Sequence, residues 1–373
     1  MSSNIDWTVA FVLPNLLLKD AVDEKFVSIA PSSDARVLKC IEMNPAARQL
    51  ITGFTDQFGN RSDVSVLIYR RGAISKTKLL PALISFRNLF ALSCILNGWQ
   101  YAIGNPNVFW TLFSDYFDCY PWAPGAGGLD LVQIGPAQES IRKASAFRGQ
   151  SSPDLPQMGM LIGASPDNTV FEPLRAAWRR KFCRSGSSET KITSLFRSLA
   201  VAYQAAALPI KNSSWLFDYG TNIALWVSAF EILVHPLQNK ASFQEVLNFL
   251  GKAAWHNPKL AHRRFKITYK GRTERVNLVK ALYWQLYNAR NDFLHGNRVT
   301  LRDLFVHKNR DLIDLTKVAP LLYAVAIRCF FEIYQKKKQG NIVEVAFQKI
   351  YESSLLEKAL IHLTMPSSLW NEF

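Results

Sequence analysis

A chain of 373 residues is long enough for two domains with their own cores. Hydrophobic residues make up 49% and charged residues only 20%, which excludes a largely disordered protein. A formal charge of +15 favours a polyanionic partner such as nucleic acid, or an anionic membrane surface. The five cysteines (Cys40, Cys94, Cys119, Cys183, Cys329) are scattered and lack paired metal-ligand spacing, so they read as thiols in a reducing compartment. No basic region precedes the first apolar run, and Pro14 interrupts it, which predicts no secretion signal. No uncharged apolar run of about 18 residues stands out, which predicts no spanning helix. The expected location is cytoplasmic.

Residues 1–75 read as strand-rich, with WTVAFVLPNLLL, KFVSIAP and DVSVLIYRR bounded by Pro, Asp and Gly. Phe58-Gly59-Asn60 reads as a turn. A helical pattern runs from Thr77 to Ile103, followed by the aromatic stripe Trp110, Phe113, Tyr116, Phe117 and Tyr120, read as core. LDLVQIGP reads as a strand. The Gly-rich stretch 125–128 lacks the Lys-Ser or Lys-Thr of a phosphate loop. Residues 137–168 are polar and loop-like. FEPLRAAWRRKFCR then carries Arg175, Arg179, Arg180, Lys181 and Arg184, and Ser188 reads as a helix N-cap. These changes place a boundary near residue 187, giving a mixed α/β domain over 1–186 and an all-α bundle over 187–373. The fold class is α+β.

Beyond the boundary, helices are expected over Leu195–Leu208, Trp215–Val234 and Phe243–Leu250. Residues 252–280 hold nine Lys or Arg against the single acid Glu274, and RFKITYKGR alternates like a hairpin. Arg263, Arg264, Lys266, Lys270 and Arg272 are the candidate phosphate contacts. The segment from Asn277 to Asn297 is a helix: Leu278, Leu282, Leu286, Ala289 and Phe293 share one face, with Tyr283, Tyr287, Arg290 and Leu294 beside it. Gly296 supplies the stop. The last turn gathers Arg290, Asn291, Asp292 and His295. Further on, a helix is expected over Ala319–Gln335, with Pro320 in its first turn, and a final helical stretch over Val343–Leu363.

The R-N-D-F-L-H run at 290–295, ending a long helix and followed by Gly, resembles the signature of the HEPN superfamily, especially its Apea-like branch. YGTNIALWVSAFEIL resembles the helix that packs against the motif helix in that branch. The match covers about residues 190–340. It implies a HEPN-like bundle that cuts RNA without a metal or cofactor, often in phage defence or as a toxin, and that dimerises with its motifs facing. His295 then acts as general acid or base, Arg290 grips phosphate oxygens and Asn291 orients either. Glu231, Asp292 and Tyr287 are supporting candidates. Arg302 and His307 form a second match, set apart by its short charged context.

Five positions along an ideal helix turn Arg290 and His295 apart by about 140° and about 7.5 Å of rise. Either the helix loosens before Gly296, or two chains share the site, with Tyr283, Tyr287 and Leu294 offering surface to bury. The RNA partner, whether tRNA, mRNA or rRNA, is not distinguished by the residues. The N-terminal domain is expected to carry a sensor or regulator. The alternative is a non-catalytic HEPN dimerisation or RNA-binding scaffold.

Overall fold

The computed structural model describes residues 7–14, 16, 18–52, 63–104, 110–112, 122–124, 131–133, 154–156, 166–184, 189–208, 215–235, 242–255, 257–306, 314–333 and 355–364. Several expectations lie outside these residues: the Phe58–Asn60 turn, Phe113, Tyr116, Phe117, Tyr120, the 125–128 stretch, Cys119, Ser188, His307 and residues 343–354. The architecture is α+β, an antiparallel sheet at the N-terminal end followed by helices.

The three apolar runs form β1 (Trp7–Pro14), β3 (Val27–Pro31) and β4 (Val64–Arg70), joined by the short β2 (Val22–Asp23) in the order β1-β4-β3-β2. Both sheet faces are covered. Val9, Val12 and Ile68 face the two helices α1 (Ala35–Met43) and α2 (Pro45–Thr52), while Phe11, Leu13 and Leu67 join the main core. Strict alternation would put Val9 and Val12 on opposite faces. The register shifts between Val9, paired with Ile68, and Phe11, paired with Leu67, so Ala10 is the extra residue of a bulge that restores the phase.

The long helix α3 (Lys76–Gly104) crosses the far face of the sheet. It is long and apolar enough to cross a membrane, contrary to the sequence expectation, but most of it is buried inside the protein. The short strand pairs β5 (Trp110–Leu112) with β8 (Asp154–Pro156), and β6 (Trp122–Pro124) with β7 (Leu131–Gln133), follow. Next come α4 (Asn168–Phe182) and α5 (Thr190–Ala207), the latter starting five residues earlier than its periodicity suggested. Glu189 occupies the N-cap of α5 and makes no side-chain cap. Then come α6 (Trp215–Val234), α7 (Phe243–Leu250) and α8 (Pro258–His262), the hairpin β9 (Phe265–Tyr269) and β10 (Arg272–Val276), and α9 (Leu278–Leu294). A 3-10 turn at Leu301–Leu304 leads to α10 (Leu315–Phe330), and α11 (Leu355–His362) lies along α3.

Every residue of α10 except Lys317 is buried, which makes it the centre of the bundle. It starts at Leu315, four residues before the expected Ala319, because the Asp314 carboxylate caps the Lys317 amide at 3.1 Å. Pro320 is therefore its sixth residue rather than part of its first turn. The same arrangement recurs. Ser75, Asp167 and Asp314 stand ahead of α3, α4 and α10; Thr77, Thr169 and Thr316 are the second helical residues; Pro81, Pro173 and Pro320 are the sixth. In each case the threonine hydroxyl meets the side chain ahead of the helix, which at Asp167 and Asp314 also caps a backbone amide. Proline cannot donate to the threonine carbonyl four residues back, so the cap holds a first turn that the ladder has lost.

One apolar core runs through position 187 without a break, from Phe11 through Phe86, Trp178 and Leu199 to Tyr323 and Leu360. Helices α4 and α5 stand on either side of the expected boundary, and their buried residues belong to the same core. A buried network also crosses it. Arg328, near the end of α10, donates Nη2 to Asp167 Oδ2 at 2.9 Å and to Thr169 Oγ1 at 2.7 Å, while Gln100 of α3 reaches the same Asp167 oxygen at 3.0 Å. On the sheet side, Arg175 and Arg179 of α4 clamp the buried carboxylate of Glu24 at 2.7–2.8 Å. These two members of the 175–184 basic run are therefore fold contacts.

Candidate functional site

Helix α9 owes its start to Asn277, whose side-chain oxygen accepts the Lys280 amide at 3.0 Å. Leu278, Leu282, Leu286 and Ala289 are buried as one stripe, and Phe293 completes it in part. Its tight neighbour is Gly220 of α6, where an added Cβ would fall 2.2 Å from the Phe293 ring. The last turn stays regular, with the His295 amide reaching the Asn291 carbonyl at 2.9 Å. Gly296, at φ +70°, then reverses the chain, and the amides of Gly296 and Asn297 bond the carbonyls of Phe293 and Asp292 at 3.4 and 2.9 Å. This is a Schellman end. The helix does not loosen before Gly296, so the first of the two geometric options is closed.

His295 occupies the cap itself, exposed, and its imidazole makes no hydrogen bond or ion pair among the described residues. Asp292 serves the helix end, its Oδ1 accepting Asn297 Nδ2 at 2.9 Å. Arg290 turns the other way and is half-buried. Its Nη1 donates to Asn291 Oδ1 at 2.9 Å, and its buried Nε has no acceptor. No contact joins Arg290 to His295 within the chain.

Arg290 faces Glu231 of α6. Burial pushes the Glu231 carboxyl above the ordinary range, against the pull of Arg290 and His235, and no ion pair closes between Glu231 and either base. The Tyr283 phenol is also buried with no partner, and desolvation, with Glu231 and Tyr287 nearby, drives it well above its usual range. Tyr283 is fully inside its own chain, so it is not interface surface. Exposed apolar area near the helix end comes instead from Leu294, 51% exposed, and Phe217 of α6, 67% exposed and in edge contact with Phe293 at 6.0 Å.

Around this cluster stands an aromatic wall of Phe243, Tyr269, Tyr283 and Tyr287. Phe243 lies 4.4 Å from Tyr269 and 4.5 Å from Tyr287, centroid to centroid. His235, which the sequence reading left unassigned, is buried beside it. Its Nδ1 meets Glu245 Oε2 at 2.7 Å, and its Nε2 accepts the Ser242 amide at 3.0 Å. The only advance signal was its place directly after α6.

The basic strip divides in two. Arg263 donates to the Thr364 carbonyl at 2.6 Å, tying the end of α8 to the end of α11, and Arg264 donates to the Ala261 carbonyl at 2.7 Å within the α8 end itself. The hairpin is real, turning through Lys270 and Gly271, both at positive φ. Lys266, Lys270, Arg272 and Arg275 are exposed on it, with Lys266 directly opposite Arg275. Two like charges placed side by side on a solvent face favour an anion between them. Trp284 of α9 holds the hairpin from below, donating to the Thr268 carbonyl at 3.1 Å.

Among the described residues no cluster of three or more His, Cys, Asp or Glu is placed to hold a metal ion. No family model, curated protein or solved structure matches this chain.

Proposed function

We propose that the protein is a metal-independent endoribonuclease of the HEPN type, working in the cytoplasm as a homodimer in antiviral defence or as a toxin. The observation that carries this reading is the end of α9, where the cap presents an exposed, unpartnered imidazole at His295 beside a half-buried, incompletely bonded Arg290. An imidazole can take the proton of a ribose 2′-hydroxyl as that oxygen bonds to phosphorus, or give one to the 5′-oxygen as its bond to phosphorus breaks. Guanidinium donors neutralise the charge that gathers on the phosphate oxygens between those events. Asn291 holds the guanidinium through its Nη1 bond.

Because Arg290 and His295 point apart on a regular helix, the complete site combines Arg290 of one chain with His295 of the other. The exposed Leu294 and Phe217 beside the cap give the two-fold contact its apolar area. The exposed cations of the β9–β10 hairpin guide the RNA backbone toward it. The sheet with α1 and α2 takes the sensing or regulatory part.

The test is incubation of purified protein with total RNA in EDTA, beside His295→Ala and Arg290→Ala. Cleavage by wild type and none by either variant is the expected result, with partial activity returning when the two variants are mixed. Equal cleavage by wild type and His295→Ala ends the catalytic reading. The lack of any Arg290–His295 contact within one chain favours a second reading, an RNA-binding or dimerising scaffold. RNA binding without cleavage at any protein concentration would select it.

A further inference from the structure

Between the hairpin and the cap, α9 turns one further stripe to the outside. Trp284, Asn288, Asn291 and His295 are spaced 4, 3 and 4 apart, which keeps all four within about 60° of one another on a regular helix. They lie opposite the buried Leu282, Leu286 and Ala289. The stripe runs about 16 Å from the hairpin to the imidazole. An outward helix face is ordinarily rich in charge. From Trp284 onward this one holds an indole, two amides and an imidazole instead.

The three residues ahead of His295 are half-buried, and His295 is exposed. The Trp284 indole is fixed in place, because its Nε1 donates to the Thr268 carbonyl at 3.1 Å. That bond seats the ring against β9, two positions along from the exposed Lys266, which faces Arg275 across the hairpin. The Asn288 amide makes no hydrogen bond among the described residues. Asn291 gives its oxygen to Arg290 Nη1 at 2.9 Å. The order along the face is therefore a cation pair, an aromatic ring, an open amide and the imidazole.

That order suits a strand whose bases are out of a duplex. Cations hold the backbone, and a ring takes the face of any base, whereas an A-form duplex keeps its base faces in its own stack. At about 3.4 Å per stacked nucleotide, the distance from ring to imidazole holds up to about five nucleotides. Resting on the reading of His295 as an RNA-cleaving group, we infer that the outer stripe of α9 is a track for single-stranded RNA. Trp284 is its base-stacking subsite, up to about five nucleotides from the phosphate that is cut.

Binding is read first, since it needs no activity. The probes are a 2′-O-methyl RNA of about eight nucleotides, its duplex, and single strands with one abasic nucleotide at each position in turn. The full chain should hold the single strand at least about tenfold tighter than the duplex. Trp284→Leu should weaken the single strand about 5- to 100-fold, the worth of one stacked base, and Trp284→Phe should keep most of the affinity. At one position the abasic strand should bind as weakly to wild type as to Trp284→Leu, because ring and base form one interaction. That coupling separates a lost stack from a disturbed hairpin, which would weaken every strand alike. Equal affinity for duplex and single strand, or abasic losses that add to Trp284→Leu at every position, overturn the track.

Cleavage then separates this inference from the reading it rests on. With unmodified RNA in EDTA, the base that couples to Trp284 should lie within about five nucleotides of the cut, and one farther away overturns the track. Coupled binding in a chain that cuts no RNA ends the enzyme reading and leaves the track standing. Cleavage of subsaturating RNA that Trp284→Leu leaves unchanged ends the track and leaves the enzyme.

Discussion

Asp167 and Glu231 are both carboxylates drawn out of water beside an arginine, and the fold treats them differently. Asp167 uses both oxygens: Oδ1 accepts the Thr169 amide at 3.0 Å and its hydroxyl at 2.5 Å, and Oδ2 accepts Gln100 and Arg328. Burial works against its charge, but Arg328, Gln100 and Thr169 outweigh burial and hold it below the ordinary carboxylate range. Glu231 has no such set. Burial wins there, its acidity falls, and the Arg290 Nε and Tyr283 hydroxyl nearby are left unmatched. A buried carboxylate with both oxygens matched reads as architecture, even though Arg328 Nη1 finds no hydrogen-bond partner. An undersatisfied one is what a site looks like before its ligand arrives.

The comparison breaks hardest at the arginines. Arg328→Met leaves Asp167 buried and uncompensated and should cost about 3–5 kcal/mol of unfolding free energy in urea. Arg290→Met, at the half-exposed site, should cost less than about 1 kcal/mol. Equal losses would mean that Arg290 is as structural as Arg328. Function should divide the opposite way. His295→Ala should lower RNA cleavage by about 10²–10⁴-fold, while its stability stays within about 0.5 kcal/mol of wild type. His307→Ala should cleave normally; a severe loss there would move the site to the second Arg-His pair.

The acids sharpen the contrast through pH, because their shifts have opposite signs. Asp167 is held below its ordinary value of 3.8, so its contribution is present above that pH and is lost as pH falls through the folded value. Asp167→Asn should therefore melt lower than wild type at neutral pH, the gap closing in acid. Glu231 is held above its ordinary value of 4.5, so its ionisation destabilises the fold as pH rises from 4.5 to the folded value. Glu231→Gln should melt higher than wild type at pH 7, with no advantage left below 4.5. Thermal melts from pH 3 to 8 read both, and shifts of the same sign would remove the distinction.

The smallest effect separates the two halves of the basic strip. Neutralising Lys266, Lys270 and Arg275 together should flatten the log–log salt dependence of RNA binding by about 2, at about 0.7 per phosphate contact on a single strand. Changing Arg263 and Arg264, which are committed to carbonyls, should leave the slope nearly unchanged.

What could be read along the chain was what repeats locally. The α9 stripe, its stop at Gly296, the spans of α6 and α7 and the β9–β10 hairpin all follow from period, caps and turn residues. Helices α1 and α2 escaped because they lie between β3 and β4, inside a stretch whose apolar runs read as strands; α1 depends on a cap at Asp34. Of the site, the polar last turn was legible, but the direction of each side chain was not. Arg263 read as a phosphate ligand because its acceptor, the Thr364 carbonyl, lies 101 positions away. Asp167 sat at the end of a loop-like stretch, and its importance depends on Arg328, which lay unremarked inside an apolar helix. The single core across residue 187 is likewise a property of distant contacts, invisible to a change in local pattern.

The Asp167–Arg328 pair also bears on how the chain is made. Its partners are 161 residues apart, so a ribosome adding about 5–20 residues per second presents Asp167 roughly 8–30 s before its arginine exists. Through that interval the start of α4 holds a carboxylate destined for the interior with no cation to meet it. Closing the first half of the chain around it in that interval costs the desolvation of an unpaired carboxylate, with only Gln100 and Thr169 to bond it. Docking of α10 supplies the cation that joins the start of α4 to α3, so a nascent chain stalled before residue 328 is expected to leave that junction open.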